Sequence, residues 1–221
     1  MSEKVVATKL GRPKSEQKRV TILECATDLF LQNGFTNTSM DMVAKVAGVS
    51  KQTVYSHFNN KDELYTAVID AKCRQYRLDA TRLKNCDAPI HDALMEVANQ
   101  TLSLLQDPKV IAMYTVVIGE ANNNPHVAEL FYRAGPLQSV ETVANIIHSY
   151  MPTDLNEQQA LAISTDFFNL IKSDFHMRSM LRLPFELSGS QQRCLCERVC
   201  LQIMVMLENI QRFPYVTHAK H

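Results

Sequence analysis

No apolar run in this chain approaches the ~18 residues that span a bilayer. The best stretches, Val110 to Ile118 and Val199 to Leu207, are far too short, and Gln202 interrupts the second. The start, MSEKVV, has no basic end followed by a long apolar stretch, so no secretory signal and no membrane partner are expected. Net charge is also missing: 23 basic residues meet 23 acidic ones, and the whole-chain balance selects no partner. There is no convincing polar-apolar alternation of the strand kind, no internal repeat and no low-complexity segment. A nucleophile elbow, a phosphate loop and a metal-ligand set are all lacking, which argues against an enzyme. The six cysteines have no CxxC spacing. In an intracellular chain they read as thiols, not as a disulfide framework. Cys196 and Cys200 share a helical face but Cys194 points elsewhere, whereas structural zinc takes four ligands, so neither metal nor cofactor is expected.

What is present is helical periodicity, together with the 46% hydrophobic content of a chain that builds a core. The spacing predicts a first helix from about Ser15 to Asn33, with Ile22, Ala26, Leu29 and Phe30 as its buried stripe. Gly34 then takes the left-handed position cheaply, and Phe35 folds back on Phe30. A second helix spans about Met40 to Ala47, capped by Thr38 or Ser39; Thr38 and Asp41 have capping-box spacing. Gly48 permits a sharp turn. Ser50 caps a third helix that runs to Phe58, with Val54 and Phe58 facing inward. Asn60 caps a fourth helix reaching about Lys84, with Asp62 and Glu63 in its first turn, where the macrodipole favours anions. Further helices are expected at about 88–106, 109–122, 126–150, 156–182 and 189–212. Pro108 and Pro125 suit helix starts, and Gly135-Pro136 should kink or split the third of these stretches.

The segment 36–61, TNTSMDMVAKVAGVSKQTVYSHFNNK, reads as two short helices joined by a tight turn. With Val54 and Phe58 buried, its second helix presents Lys51, Gln52, Thr53, Tyr55, Ser56 and His57. Lysine supplies charge, hydroxyls and the phenol donate to phosphate oxygens, and Gln52 suits an adenine edge. Lys61 and the start of the fourth helix can hold another phosphate. Upstream, residues 1–20 hold six basic side chains against two acidic ones, a local polyanion signal.

Thr36 to Leu64, with AxxAGVSKxTVYxHFxxKDEL as its pattern, closely resembles the N-terminal domain of TetR-type bacterial transcriptional regulators. The likeness extends back through ILECATDLFLQNGF and so covers about residues 15 to 65. It implies an all-α fold: a basic arm at 1–14, a three-helix DNA-binding domain with a helix-turn-helix at 15–62, and a larger effector-binding and dimerisation domain at 63–221. By that resemblance Lys51, Thr53, Tyr55, His57 and Lys61 map onto DNA-contacting positions, and Thr38 or Ser39 onto a phosphate contact of the second helix. Ser50, Gln52 and Ser56 complete the expected reading surface. Gln52 and Ser56 depart from the common family residues, which leaves the operator sequence open. Gly11-Arg12-Pro13-Lys14 resembles a minor-groove arm, with Arg12 suited to an A·T-rich groove; an arm of sequence-independent affinity is the alternative.

The last helix carries an apolar stripe of Cys196, Val199, Ile203, Met206, Ile210 and Phe213, widened by Cys200, Met204 and Leu207, with Leu201 and Val205 partly beyond it. A helix apolar around most of its surface needs cover on more than one side, and a second subunit is the simplest cover. A homodimer is therefore expected, with Phe168, Ile171, Val199, Ile203, Met206, Leu207 and Ile210 at its interface. The resemblance implies an effector pocket in the middle helices. Its candidates are Met95, Leu102, Met113, Tyr114, Val117, Phe131, Phe167 and Phe168, with Asn169, His176 and Arg178 as polar anchors. Met and aromatic side chains at helical spacing equally suit ordinary core; as a pocket they suit a small apolar or amphipathic effector. Met177 to Leu187, MRSMLRLPFEL, resembles the C-terminal domain of AefR-like members. The expected function is a cytoplasmic, nucleoid-associated bacterial repressor, released by its effector from a palindromic double-stranded DNA operator. A nucleoid protein binding DNA without an effector is the rival reading.

Overall fold

The computed structural model describes residues 13–76, 89–151 and 153–212, with side chains from Glu16 onward. Among these residues every regular element is helical. The chain divides into two compact units, Met1–Val68 and Ile69–His221.

The first unit is built on α1 (Pro13–Asn33), α2 (Met40–Val46), α3 (Lys51–His57) and the start of α4 (Lys61–Gln75). Helix α1 begins at Pro13, so Lys14 lies in a helical first turn, not in an extended arm. It ends as expected: Gly34 has φ 76°, and its N–H donates to the Phe30 carbonyl at 3.0 Å. The Phe35 ring stacks on Phe30 at 6.0 Å, and Tyr65 closes edge-on against both, at 5.0 and 5.1 Å. Tyr65 and Val68 of α4 are buried, so this unit extends beyond the expected boundary at residue 62. Ile22, Phe30, Val43, Val54, Phe58 and Leu64 complete the core. Each such side chain contributes about 1.5–3 kcal/mol of transfer free energy.

Between α1 and α2 the structure corrects one expectation. Thr38 does not cap α2. It is 1% exposed, and its hydroxyl lies 2.7 Å from the Gly34 carbonyl and 3.2 Å from that of Leu29. The cap is Ser39, whose Oγ accepts from the Met42 N–H at 3.2 Å. Gly48 has φ 65° and turns the chain into α3, which Ser50 caps by accepting from Thr53 N–H at 3.1 Å. Phe58 lies just past the end of α3 as its C-cap.

The second unit takes the end of α4 and adds α5 (Ile90–Gln106), α6 (Pro108–Glu120), α7 (Pro125–Tyr132), α8 (Gln138–Tyr150), α9 (Glu157–Met180) and α10 (Gly189–Glu208). The expected continuation of α4 to Lys84, and Cys86 beyond it, lie outside the described residues. Asp107 caps α6, accepting from Lys109 N–H at 2.8 Å. A π-helical turn, Arg133–Leu137, holds Pro136 and splits the expected single helix into α7 and α8. Proline has no N–H to offer the regular ladder, and the wider turn absorbs the gap. Gly135 allows close approach here: a Cβ on it would stand 3.2 Å from the Ile69 side chain. Capping boxes, Asn156 with Gln159 and Ser188 with Gln191, start α9 and α10. Helix α9 is broken at Ser173, where φ 45° and ψ −162° are not helical. Leu94 and Leu102 of α5, Ile147 of α8, Ile163 and Phe167 of α9, and Ile203 of α10 meet in one core.

Candidate nucleic-acid interface and effector domain

Helix α3 is short because its sequence is bounded by a cap at Ser50 and by extended backbone at Phe58. Burying Val54 and Phe58 fixes its rotation and turns Lys51, Gln52, Tyr55 and Ser56 to solvent. The hydroxyls differ in freedom. Ser50 and Thr53 bond each other at 2.9 Å, and Ser56 donates to the Thr53 carbonyl at 2.7 Å. Gln52 and Tyr55 are outward groups that can reach base edges or phosphates. The Lys51 ammonium pairs with Asp41 of α2, a partner that sequence reasoning missed; the two stand ten residues apart across the turn. His57 is half-buried beside Phe58. Arg19 of α1 was also missed as a site candidate: its guanidinium lies 5.0 Å from the centre of the Phe58 ring, a cation held at the end of α3.

Three expected contacts come out differently. Thr38 is buried and its hydroxyl is engaged within the core, so it does not offer that hydroxyl to a phosphate. Lys61 donates to the carbonyls of Phe35 at 2.7 Å and Thr36 at 3.3 Å, which ties the exit of α1 to the start of α4. The first turn of α4 is satisfied by its own side chains: Asn60 Oδ1 accepts from Glu63 N–H at 2.8 Å, and Glu63 accepts from Asn59 N–H at 2.9 Å. With Asp62 and Glu63 in that turn, it is not an open anion site. Ser39 is exposed, and its Oγ caps α2. Arg12 lies outside the described residues, as does the side chain of Lys14.

In the second unit the expected pocket residues separate into two sets. Leu102 and Phe167 belong to the main core, with Met95 and Phe168 half-buried against it. Met113, Tyr114 and Val117 of α6 and Phe131 of α7 form another layer, in which Tyr114 meets Phe131 at 4.9 Å and His176 of α9 at 5.1 Å, both edge-on. Burial, and then the nearby Cys73 thiol, push the Tyr114 phenol up to about 12. Burial, and then the charge of Lys172, push His176 down from 6.5 to about 4. Asn169 belongs to neither set: it is exposed on the outer side of α9. Arg178 faces the α9–α10 connection, 5.6 Å from the centre of the Phe185 ring.

The expected interface residues need the clearest correction. Ile171, Val199, Ile203, Leu207 and Ile210 are core residues of this chain, turned inward against α5 and α9. The apolar face that α10 leaves uncovered carries Leu201 and Val205, 52% and 53% exposed and one turn apart, on the side of the helix away from Val199, Ile203 and Leu207. With Gln202, Met206, Asp166, Asn169 and Leu170 they line an open groove of about 690 Å³ along α9 and α10. Phe168 and Met206 are half-buried. Phe213 lies outside the described residues. Cys196 and Cys200 are buried; burial raises both thiols, Cys200 to about 12, and keeps them protonated. Among the described residues no cluster of His, Cys, Asp or Glu has metal-site geometry, and no helix is long and apolar enough to cross a membrane.

Comparison with known proteins identifies this pair of units. The family model "Bacterial regulatory proteins, tetR family" matches residues 22–68. The model "AefR-like transcriptional repressor, C-terminal domain" matches residues 92–206. A curated relative, the uncharacterized HTH-type transcriptional regulator YhgD of Bacillus subtilis (strain 168), is 36% identical over 78 residues, 35% of this chain and 41% of that protein. The chain thus aligns with less than half of that relative's length. The solved structure of the Flavonoid-responsive Regulator FrrA superposes with a TM-score of 0.64 at 26% identity, covering 86% of this chain and 96% of that one. A TetR transcriptional regulator from Agrobacterium tumefaciens gives 0.64 at 22% identity, over 85% and 93% of the two chains, which speaks to the fold. These relatives are transcriptional regulators and not enzymes. The C-terminal match alone covers more than half of the 221 residues. The chain belongs to the TetR family of bacterial regulatory proteins, with an AefR-like C-terminal domain.

Proposed function

We propose that this protein is a repressor that binds a palindromic operator as a homodimer and is released from it by a small apolar or amphipathic effector. The observation that carries the reading is α3: a capped helix whose rotation is fixed by Val54 and Phe58 and whose outward side is Lys51, Gln52, Tyr55 and Ser56. One such helix reads only a few base pairs. Two of them, in successive major grooves ~34 Å apart, read a palindrome. The groove of Leu170, Leu201, Val205 and Met206 supports a second copy as the partner, because an apolar strip on two long helices is what a four-helix interface covers.

In this reading Gln52 and Tyr55 face bases, Lys51 and Ser39 face phosphates, and Arg12 in the arm enters the adjacent minor groove. Residues 15–68 form the reading head and 69–221 the effector and dimer domain, with α4 passing from one to the other. The effector binds preferentially a conformation with wrongly spaced heads, and α4 transmits that preference. The name of the AefR-like family model supports repression, and the flavonoid response in FrrA's name supports an amphipathic aromatic effector. The protein works on the nucleoid, in the cytoplasm.

The test is selection of bound fragments from genomic DNA, followed by compound addition. Enrichment of one palindromic motif, with retention lost on adding a compound that binds the second unit, is the expected result. Retention of unrelated fragments alike, untouched by any compound that binds, would instead make this a general DNA-coating protein.

A further inference from the structure

The second unit holds a set of polar groups that core packing does not explain. His176 is 5% exposed, and its Nδ1 has no hydrogen-bond partner. A buried orphan nitrogen costs about 1–3 kcal/mol wherever it is not satisfied. Lys172, one turn earlier on α9, is half-buried, and its charge is felt at His176. Burial lowers the pKa of its ammonium, and among the described residues no acidic side chain counters that shift. Between the two stands Ser173, whose conformation costs a non-glycine residue about 1–3 kcal/mol. The walls are aromatic: Tyr114 meets His176 edge-on at 5.1 Å, Phe131 backs Tyr114 at 4.9 Å, and Phe175 lies 6.2 Å away. Phe175 also lines a neighbouring hollow of about 270 Å³ with Ile111, Phe185 and Glu186, which His176 and Lys172 do not line.

Resting on the reading of this unit as the effector domain, we propose that the site takes an aromatic weak acid, its ring against Tyr114, Phe131 and Phe175 and its anionic oxygen received by His176 and Lys172. The sign of the charge follows from the residues present. A cation here would meet the Lys172 ammonium, the one charge felt at His176. An anion supplies the missing partner for that ammonium and fills the open nitrogen of His176. Strain at Ser173 belongs with this role, since a broken helix lets Lys172 and His176 move independently when the acid arrives.

The experiment measures binding to the full chain of three probes that share one ring: 1-naphthoate, the neutral 1-naphthamide and the cationic 1-naphthylmethylamine. Isothermal titration should show naphthoate at least about tenfold tighter than the amide and the amine weakest. Lys172→Met and His176→Phe should each bring naphthoate to the level of the amide while the amide still binds. His176→Phe should also raise the melting midpoint, because it removes an orphan nitrogen. If that variant fails to fold, Lys172→Met carries the comparison. Equal affinity for acid and amide, no binding of any probe to the folded protein, or a preference that survives in the variants overturns the proposal. Discriminating naphthoate binding without any effect on retained DNA leaves this site standing and defeats release by an effector instead.

Discussion

Lys61 places its ammonium 2.7 Å from the carbonyl oxygen of Phe35 and 4.2 Å from the centre of the same residue's ring. The start of α4 is thereby fastened to the exit of α1, in the middle of the Phe30, Phe35 and Tyr65 cluster. Lys61→Met keeps the stem and removes the charge. It should cost about 1–2 kcal/mol of stability, seen as a lower urea midpoint. The salt dependence of DNA binding should stay unchanged. A slope shallower by about one would restore Lys61 to the phosphate contacts.

Lys51 and Asp41 predict opposite effects on DNA. Lys51→Ala should weaken binding to every sequence alike and reduce the salt slope by about one. Asp41→Asn frees the Lys51 ammonium and should strengthen binding, again without regard to sequence. Gln52→Ala should instead change which sequences are enriched; an unaltered motif would take Gln52 off the base edges.

Leu201 and Ile203 are two residues apart and should behave as different kinds of position. Leu201→Glu or Val205→Glu places a charge on the uncovered face, and sedimentation should find a folded monomer with little operator affinity. Ile203→Glu buries the charge in the core and should unfold the second unit. A Leu201→Glu, Val205→Glu protein that sediments as a dimer would move the interface elsewhere.

Asp107 makes stability fall on the acid side. Burial works to raise its carboxyl, but hydrogen bonds from Lys72, Tyr76 and the Lys109 N–H outweigh that and hold it below the ordinary range. Tyr76 donates to it at 2.7 Å and is itself pushed up to about 12, first by this bond and then by burial. A carboxyl depressed on folding contributes stability that is present above its unfolded value, ~3.9, and lost as pH falls through the lower folded one. Asp107→Asn should therefore lose about 1–2 kcal/mol at neutral pH and lose less than the native protein between pH about 5 and 2. Parallel urea curves across that range check it.

His176 acts in a higher window. Its pKa falls from 6.5 to about 4 on folding, so the unfolded chain binds the proton first. Stability is fully present above pH about 6.5 and declines as pH falls toward 4. His176→Phe should flatten that decline, as followed by melting midpoints between pH 7 and 5. A native decline that persists in the variant assigns the effect to another group.

The reading head was legible because its signals are local. Gly34, Gly48, Ser50 and Asn60 mark helix ends by chemistry that works within four residues, and each acts where the sequence placed it. The cap of α2 was left open between Thr38 and Ser39 because both have the cap's chemistry; only the fold reveals that α1 draws the first of them inside. The face of α10 was misread for a different reason. Val199, Ile203 and Leu207 are apolar, and so are Leu201 and Val205, and a helix apolar on both sides does not say which side its own chain will cover. The break at Ser173 has neither proline nor glycine to announce it, and His176 becomes notable only once its nitrogen is seen to lack a partner.

In the proposed homodimer, paired through Leu201 and Val205, abundance becomes a variable that the regulator senses. A chain whose reading helix needs a twin, and whose uncovered strip must find that twin by diffusion, occupies its operator in proportion to the square of its own concentration while pairs are scarce. Halving the number of copies in a cell then removes more than half of the bound complexes. Under the proposed repression, dilution by growth that outpaces synthesis, or a weak promoter, would lift control even with no compound present.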